Sequence, residues 1–436
     1  MTSTEGTLRK TTNKSKWIIG LALMALIAVI AAACGDDDST STPTSSTGAG
    51  GFTDAGYKAA GLDKAKNVTV ESGASIKIGI SSGLSGDVKG LGLPIADAAT
   101  VAADGVTIKG HKIELVREDD LCTPEGGPAA ADKLLKAGVV AVVGPICSGG
   151  TRNANAVYDK AGITHISPSA SAGDLTAPTR PEGPYVTFFR TPVINADEAR
   201  EQAGFATKTL GAKTAFIVFD TDDYGKDLSA QFKSFFEKAG GKVVGTPTGY
   251  EKKTTDFKAI IANIKQAKPD LVYIAGFYVE ATPFVQQLRA DSDLKATPFL
   301  GGDGVKNDEF ISGAKDAAEG AYLALPGTTG PEFANYAKKY AAFTKTKEAD
   351  AGNATFGPEA YDAMTIILKA IDKVATDSGG KLTIDLKALN AAIKSTVLSG
   401  ASGDVKFGTD GNRGGAIVKF FKVTGGKYVA LEAGKK

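Results

Sequence analysis

Histidine is almost missing from this chain of 436 residues, which has two, together with three cysteines and a single tryptophan. That scarcity removes whole classes of chemistry. There is no H-E-x-x-H, no C-x-x-C and no G-x-x-x-x-G-K-[ST], so zinc hydrolysis, dithiol redox work and P-loop phosphate chemistry lack their residues. Charge of one sign is also lacking. With 50 Lys+Arg against 49 Asp+Glu, no basic field exists to neutralise a phosphate backbone, and no nucleic-acid partner is expected. Two partial motifs fail on the same shortages. Gly79-Ile80-Ser81-Ser82-Gly83 fits a nucleophile elbow, but the histidine base must be His111, at the opening of a strand, or His165, inside a short apolar run that suits a packed core residue. A serine hydrolase is therefore kept only as a third, disfavoured reading. Asp220-Thr221-Asp222-Asp223-Tyr224-Gly225 opens like a calcium loop, yet Tyr224 stands at its fifth position and Gln231 where a bidentate glutamate belongs. No catalytic residue, metal or cofactor is expected. The sequence reads as one built to bind.

What is present begins with the compartment. Arg9, Lys10, Lys14 and Lys16 precede an uncharged apolar run from Trp17 to Ala33, the layout of a signal peptide. Ala31, Ala32 and Ala33 then lead into Cys34 and the charged stop Asp36-Asp37-Asp38. This resembles a bacterial lipoprotein signal, with Ala31 where leucine is usual, and it implies that residues 1–33 are removed and Cys34 is acylated. An uncleaved membrane anchor is the rival reading. Either way the rest of the chain faces outward, and the lipoprotein resemblance implies that it is lipid-anchored at the cell membrane on its periplasmic or extracellular side. Removing Glu5 and the four bases leaves 46 basic and 48 acidic residues, a mature charge near −2. From Ser39 to about Gly51 the Ser/Thr/Gly/Pro-rich stretch reads as a flexible tether, with residues 34–73 preceding a fold that begins near Ala74. Cys122 and Cys147 remain as the available pair, and in an oxidising exterior a disulfide is expected over two free thiols.

The folded part alternates short β-branched runs with helical patterns. Ile76–Ile80, Lys112–Val116 and Val139–Val143 are each followed by a helix, near 91–103, 128–137 and 151–161. The rhythm resumes after Pro192 with strands at Ala215–Phe219, Val243–Gly245 and Leu271–Ala275, and helices at 226–239, 256–268 and 280–290. Phe257, Ile260, Ile261 and Ile264 fall at i, i+3, i+4 and i+7, one stripe of a 3.6-residue period, before Pro269 stops the helix. The expectation is α/β: two doubly wound parallel-sheet lobes, since about 360 residues exceed what one core serves. Ligands of such sheets bind beyond the carboxyl ends of the strands, so the loops after strands are the ones to read.

Those loops resemble the branched-chain amino acid (leucine/isoleucine/valine) type of solute-binding proteins of ABC transporters. The resemblance covers residues 76–425 and rests on Asp119-Asp120-Leu121-Cys122-Thr123-Pro124 with Gly144-Pro145-Ile146-Cys147-Ser148, on Ser167-Pro168-Ser169-Ala170-Ser171, Arg190-Thr191, Asp222-Asp223-Tyr224-Gly225, Gly276-Phe277-Tyr278-Val279-Glu280 and Gly302-Asp303-Gly304. It implies a type I periplasmic binding protein: lobes of 74–190 plus 326–402 and of 191–325 plus 403–436, joined by a three-stranded hinge. It further implies that Ser148 and Ser171 donate hydroxyls to a ligand carboxylate, aided by a helix starting at about Thr151, and that Ser169 offers backbone groups to the amino end. Tyr224 would cap the ligand, Asp303 counter its ammonium, and Phe277 with Tyr278 form an aromatic wall. Ser85, Leu91 and Phe356 complete the implied set. Two positions depart from the pattern, Leu91 where an aromatic residue is common and Asp303 where glutamate is. The expected function is capture of a small polar solute, an amino acid, by a monomer that docks on an ABC transporter permease. The alternative is a ligand-sensing receptor of the same fold for an amide, a urea-like compound or another small metabolite.

Overall fold

The computed structural model describes residues 51–177, 180–327, 330–415 and 417–431. The signal-like segment and Cys34 lie outside these residues.

The first lobe is a parallel sheet of β1 (Ile76–Ser82), β2 (His111–Asp119), β3 (Ala141–Val143), β4 (Thr164–Ser167) and β5 (Phe188–Arg190), in the order β2-β1-β3-β4-β5. Thr107–Ile108 pairs antiparallel on its outer edge. The connecting helices are α1 (Lys89–Ala103), α2 (Gly126–Ala137) and α3 (Ser148–Ala161). After α4 (Asn195–Gly204) the same order recurs in the second lobe. There β6 (Thr214–Asp220), β7 (Thr248–Tyr250), β8 (Leu271–Ala275), β9 (Phe299–Gly301) and β10 (Tyr322–Pro326) run parallel as β7-β6-β8-β9-β10. Its helices include α5 (Asp223–Lys238), α6 (Lys258–Ala267), α7 (Tyr278–Ala290) and α8 (Asp308–Ala314). The chain then returns to the first lobe with α9 (Phe333–Thr344), α10 (Gly357–Val374) and α11 (Leu386–Lys394), α10 packing on α1. It ends as β11 (Val418–Thr424) and β12 (Lys427–Ala430), which extend the second sheet antiparallel from β10.

Burial on both faces explains why these strands read as continuous apolar runs. In β8 all five residues of Leu-Val-Tyr-Ile-Ala are buried, and in β6 Ala215, Phe216, Ile217 and Val218 are too. Each buried Val, Leu, Ile or Phe among them contributes roughly 1.5–3 kcal/mol. The stripe of α6 faces inward as its period requires, Phe257, Ile261 and Ile264 being buried. Its end is Lys268 in the left-handed region at φ 47°, just before Pro269.

Three differences from the sequence reading have physical causes. The packed fold begins before Ala74: a helix at Asp54–Ala59 is capped by the Thr53 side chain, and Asn67–Val70 pairs antiparallel with Lys381–Asp385. Phe52 and Tyr57 pack on the core there, signals too sparse to be read as an element. The helix α3 starts at Ser148 rather than near Thr151; Gly149 and Gly150, poor helix formers by propensity, stand in its first turn because a Cβ would lie 2.8 Å from Asp222 Oδ1 at the first and 3.1 Å from the Thr123 carbonyl oxygen at the second. The hairpins at 376–385 and 397–406 carry no strand signal in the sequence, because their strands are short and many of their residues are exposed.

The crossings between lobes are bonded to one another. Arg413 donates to the Thr191 carbonyl (2.9 Å), the Ser402 carbonyl (2.6 Å) and the Ser402 hydroxyl (2.9 Å). The Gly330 N–H donates to Ala401 (2.9 Å), and that of Arg190 to Gly411 (3.1 Å).

Candidate functional site

In a sheet of order 2-1-3-4-5 the chain reverses direction of winding between strands 1 and 3, and the loops there diverge to leave a crevice. Both lobes carry such a point, between β1 and β3 and between β6 and β8. The two meet at a cavity of about 20 Å³. Ile146, Cys147 and Ser148 reach it after β3 and Ser169 after β4; Tyr224 follows β6, Phe277 follows β8, and Asp303 with Gly304 follows β9. Leu91 from α1 and Phe356, just before α10, close its sides. A wider groove of about 420 Å³, lined among others by Thr100, Asp104, Thr107 and Lys112, lies at the amino end of β2, away from every strand-end loop. The topology favours the smaller cavity.

One end of the cavity suits an anion. Ser148 is the first residue of α3, whose opening N–H groups have no partner within the helix and carry its positive dipole end. The Ser148 hydroxyl oxygen accepts the Ala172 N–H at 3.2 Å, leaving its own hydrogen to donate. The Ser169 hydroxyl is committed to the Ile146 carbonyl at 2.6 Å. This loop is held from behind. A disulfide joins Cys122 to Cys147. The buried Asp120 accepts the Ser81 hydroxyl and the Cys122 N–H, both at 2.9 Å, and burial pushes its carboxyl up to about 6. Gly144 sits at φ 109°, and a Cβ there would lie 2.0 Å from the Ser81 carbonyl oxygen, so the turn after β3 requires glycine.

The other end suits a cation. Asp303 is 2 % exposed; its Oδ1 accepts the Tyr224 hydroxyl at 2.5 Å and its Oδ2 has no partner. Burial pushes its carboxyl up to about 6, although the Tyr224 donor pulls the other way. Burial and the Asp303 charge together raise the Tyr224 hydroxyl far above its ordinary value, so it is a neutral donor. The ring of Tyr224 leans on Phe277 at 5.2 Å. Between the two ends the wall is apolar: Leu91, Ile146, Phe277 and Phe356.

Seven of the residues implied by the loop resemblance thus surround one cavity: Leu91, Ser148, Ser169, Tyr224, Phe277, Asp303 and Phe356. Three do not. Ser85 is exposed and donates to Asp119 at 2.5 Å, because the turn after β1 faces outward. Ser171 is buried beside the loop, its hydroxyl without a partner, and is not on the wall. Tyr278 opens α7, which carries its ring away; its hydroxyl donates to the Asp87 carbonyl at 2.8 Å and accepts the Gly90 N–H at 3.2 Å. The sequence reading missed Ile146, Cys147 and Gly304 on the wall, and Glu198 behind it. Glu198 is fully buried in α4 and accepts the Asp303 N–H at 2.9 Å. Its signal was a polar stripe, Asn195, Glu198 and Gln202, at helical spacing.

The partial motifs take other roles. The Ser81 hydroxyl bonds Asp120, not a histidine. His165 packs between Tyr158 and Phe188 with both ring nitrogens unpartnered, and burial pushes its pKa down to about 3. Asp222 caps α5 and pairs with Lys252 at 2.7 Å.

Residues from both sheets thus line one cavity beyond the carboxyl ends of their strands. The chain belongs to the periplasmic binding protein family, whose profile it matches over residues 75–427. It is 30% identical over 318 residues to the leucine-, isoleucine-, valine-, threonine-, and alanine-binding protein of Pseudomonas aeruginosa, covering 72% of this chain and 82% of that one. It is also 30% identical over 366 residues to the Leu/Ile/Val-binding protein BraC3 of Rhizobium johnstonii, covering 82% and 94%. Among solved structures, the branched-chain amino acid transporter substrate binding protein LivJ from Streptococcus pneumoniae, in complex with isoleucine, superposes with a TM-score of 0.72 at 24% identity, covering 82% of this chain and 98% of that one.

Proposed function

We infer that this protein captures a zwitterionic amino acid with an apolar side chain and hands it to an ABC transporter permease. One observation carries the reading: the cavity joins a helix start and a free serine donor at one end to a carboxyl with an unpartnered oxygen at the other, across an apolar wall. The ligand carboxylate sits at the amino end of α3, with Ser148 donating. The ammonium meets Asp303, since a carboxylate in a closing cleft is costly to desolvate unless a cation reaches it. Leu91, Ile146 and Phe356 receive the side chain. The names of the relatives point to the same ligand class.

The cavity admits such a ligand only when the lobes part, so capture proceeds by hinge closure. Cys34 is acylated and tethers the monomer outside the membrane. No helix among the described residues is long and apolar enough to cross a membrane.

A thermal-shift screen of alanine, threonine, valine, isoleucine and leucine tests the ligand class, because a ligand that binds only the folded state raises the melting temperature. Benzoate belongs in the screen, since a solute-binding protein from R. palustris of similar fold was crystallised with it. A response to benzoate without one to amino acids defeats the reading. Loss of fatty-acid labelling in Cys34→Ala tests the anchor; equal labelling of the variant defeats it.

A further inference from the structure

Arg190 closes β5 and is fully buried, yet its guanidinium donates to neutral groups. Nη1 bonds the Ala170 carbonyl at 3.2 Å and the Ala172 carbonyl at 2.7 Å. Nη2 donates to the Thr176 hydroxyl at 2.9 Å, and Nε to Oδ1 of Asn412 at 2.5 Å. Burial pulls its pKa down to about 10, which still leaves it charged at pH 7. A cation shut among neutral acceptors is costly to desolvate, and a well-packed apolar side chain of similar volume would fill the space at less cost. Packing alone therefore does not account for it.

The two flanks of the guanidinium explain it. On one side stands the turn 170–173. The peptide between Ser171 and Ala172 points its N–H at the Ser148 hydroxyl oxygen at 3.2 Å, and its carbonyl accepts the Asn195 N–H at 2.9 Å. The carbonyls of the peptides just before and just after it are the two that Nη1 grips. Three consecutive peptide planes are thus fixed, and the middle one sets the Ser148 hydroxyl. A hydroxyl has one hydrogen, so with its oxygen engaged from behind by Ala172 that hydrogen is left for the cavity. On the other side stands the crossing between α11 and β11. Its Gly411 carbonyl accepts the Arg190 N–H at 3.1 Å, and Asn412 is braced by Asp410 through its N–H at 3.1 Å and its Nδ2 at 2.7 Å. A planar fork with donors on three nitrogens serves both flanks at once; the single ammonium of lysine cannot.

We propose that Arg190 is the positioning residue of the carboxylate end: it clamps the turn 170–173 so that Ala172 engages the Ser148 oxygen and the Ser148 hydrogen faces the ligand, and it ties this turn to the crossing at Gly411 and Asn412. This rests on the reading that Ser148 donates to the ligand carboxylate, and it deepens that reading by naming what holds the donor. Arg190 is not on the cavity wall, so its effect on binding runs through Ser148. Asp303 approaches from the other sheet and is set by Tyr224, independently of the clamp.

The first arm of the test needs no ligand. Arg190→Lys keeps a cation but not the fork, so amide hydrogen exchange at Ala172 is expected to speed up about tenfold or more, while exchange at Val142 in the core of β3 stays within about twofold of wild type. Exchange that rises equally at both amides overturns the proposal, because Arg190 then holds the whole lobe and not the turn. So does an unchanged rate at Ala172. If Arg190→Lys does not fold, Asn412→Ala at a half-buried position carries the same comparison, with a rise of about threefold expected at Ala172 and none at Val142. The second arm is calorimetry with L-leucine on a double-mutant cycle. Ser148→Ala should cost about tenfold in affinity when residue 190 is arginine and about twofold or less beside Arg190→Lys, whereas Asp303→Asn should cost the same factor in both backgrounds. An equal cost of Ser148→Ala in both backgrounds overturns the proposal. Failure of wild type to bind any amino acid defeats the proposed function instead, and leaves the exchange of Ala172 to decide the role of Arg190.

Discussion

The Tyr224 hydroxyl donates to Oδ1 of Asp303 across 2.5 Å and turns the free Oδ2 away from itself. The bond comes from two different strand-end loops, so it is the packing of β6 beside β8 and β9, not local sequence, that makes this carboxyl a fixed acceptor. Asp303→Asn keeps the shape and the Tyr224 contact but removes the charge. Leucine affinity is expected to fall about ten- to a hundredfold, the worth of a charge-assisted hydrogen bond. In wild type, affinity should also weaken as pH falls through about 6, where Asp303 takes up its proton. Unchanged affinity in the Asn variant at pH 7 would reduce Asp303 to a turn former.

The disulfide is expected to matter to both stability and binding, because Cys147 immediately precedes the Ser148 that opens α3. Closing a 25-residue separation stabilises by about 3.5 kcal/mol in the loop-entropy account. Reduction should lower the denaturation midpoint by a matching amount and weaken leucine binding, since the loop carrying Ser148 loses its tie to the turn after β2. An unfolding curve identical with and without reductant would show the bridge to be idle.

The alternation of strands and helices was legible because each element is short, periodic and bounded by glycine or proline; β8 matches its expected span of Leu271–Ala275 to the residue. Binding loops could be found by looking just beyond the carboxyl end of each strand. Direction within a loop could not. Phe277 and Tyr278 are adjacent, yet one faces the cavity and the other is carried away by the first turn of α7, a difference of a single residue in where the helix begins. Ser85 and Ser169 each lie in a loop just after a strand, and only the turn geometry sends the first outward. Glu198 was hidden for another reason. In Asn-Ala-Asp-Glu-Ala-Arg-Glu-Gln its neighbours are ordinary surface charges, and nothing local announces that α5 will cover it.

The lobes are latched at the rim. Arg152 on α3 donates from Nε to Asp223 of α5 at 2.7 Å and pairs with Asp174 through Nη1. Both partners of the cross-lobe bond are about one-third exposed, so the pair is worth only about 0.2–1 kcal/mol. Arg152→Met is therefore expected to shift the lobes modestly toward open and to weaken leucine binding up to about fivefold, with the effect on wild type shrinking as salt is added. Small-angle scattering of the ligand-free variant should give a larger radius of gyration than wild type, and saturating leucine should compact both. Equal radii in all four samples would argue for a rigid cleft.

The buried His165 makes an acid-sensitive contribution to the first lobe that can be separated from the carboxylates. Its ring lies 4.5 Å from that of Tyr158 and 5.2 Å from that of Phe188, with no partner on either nitrogen. A charged imidazole has nothing to meet there, which is why its pKa is pushed down to about 3 in the folded protein, while in the unfolded chain it is ordinary, near 6.5. A base with a depressed folded pKa contributes stability that is complete above the unfolded value and drains as pH falls, here from about 6.5 toward 3. The buried Asp120 and Asp303 act oppositely: raised to about 6, they favour the fold increasingly as pH falls from about 6 toward 4. The wild-type curve alone therefore mixes the two signs. Comparison with His165→Phe isolates the imidazole, since the substitution keeps an aromatic ring in the same stack and leaves both aspartates in place. The stability difference between the two proteins should be flat above pH 7 and should move in favour of the Phe variant by about 1.4 kcal/mol per pH unit below about 6. Chemical denaturation at pH 7.5, 6 and 5 measures it. A difference that stays constant over that range would mean that His165 finds a partner or water that this packing denies it.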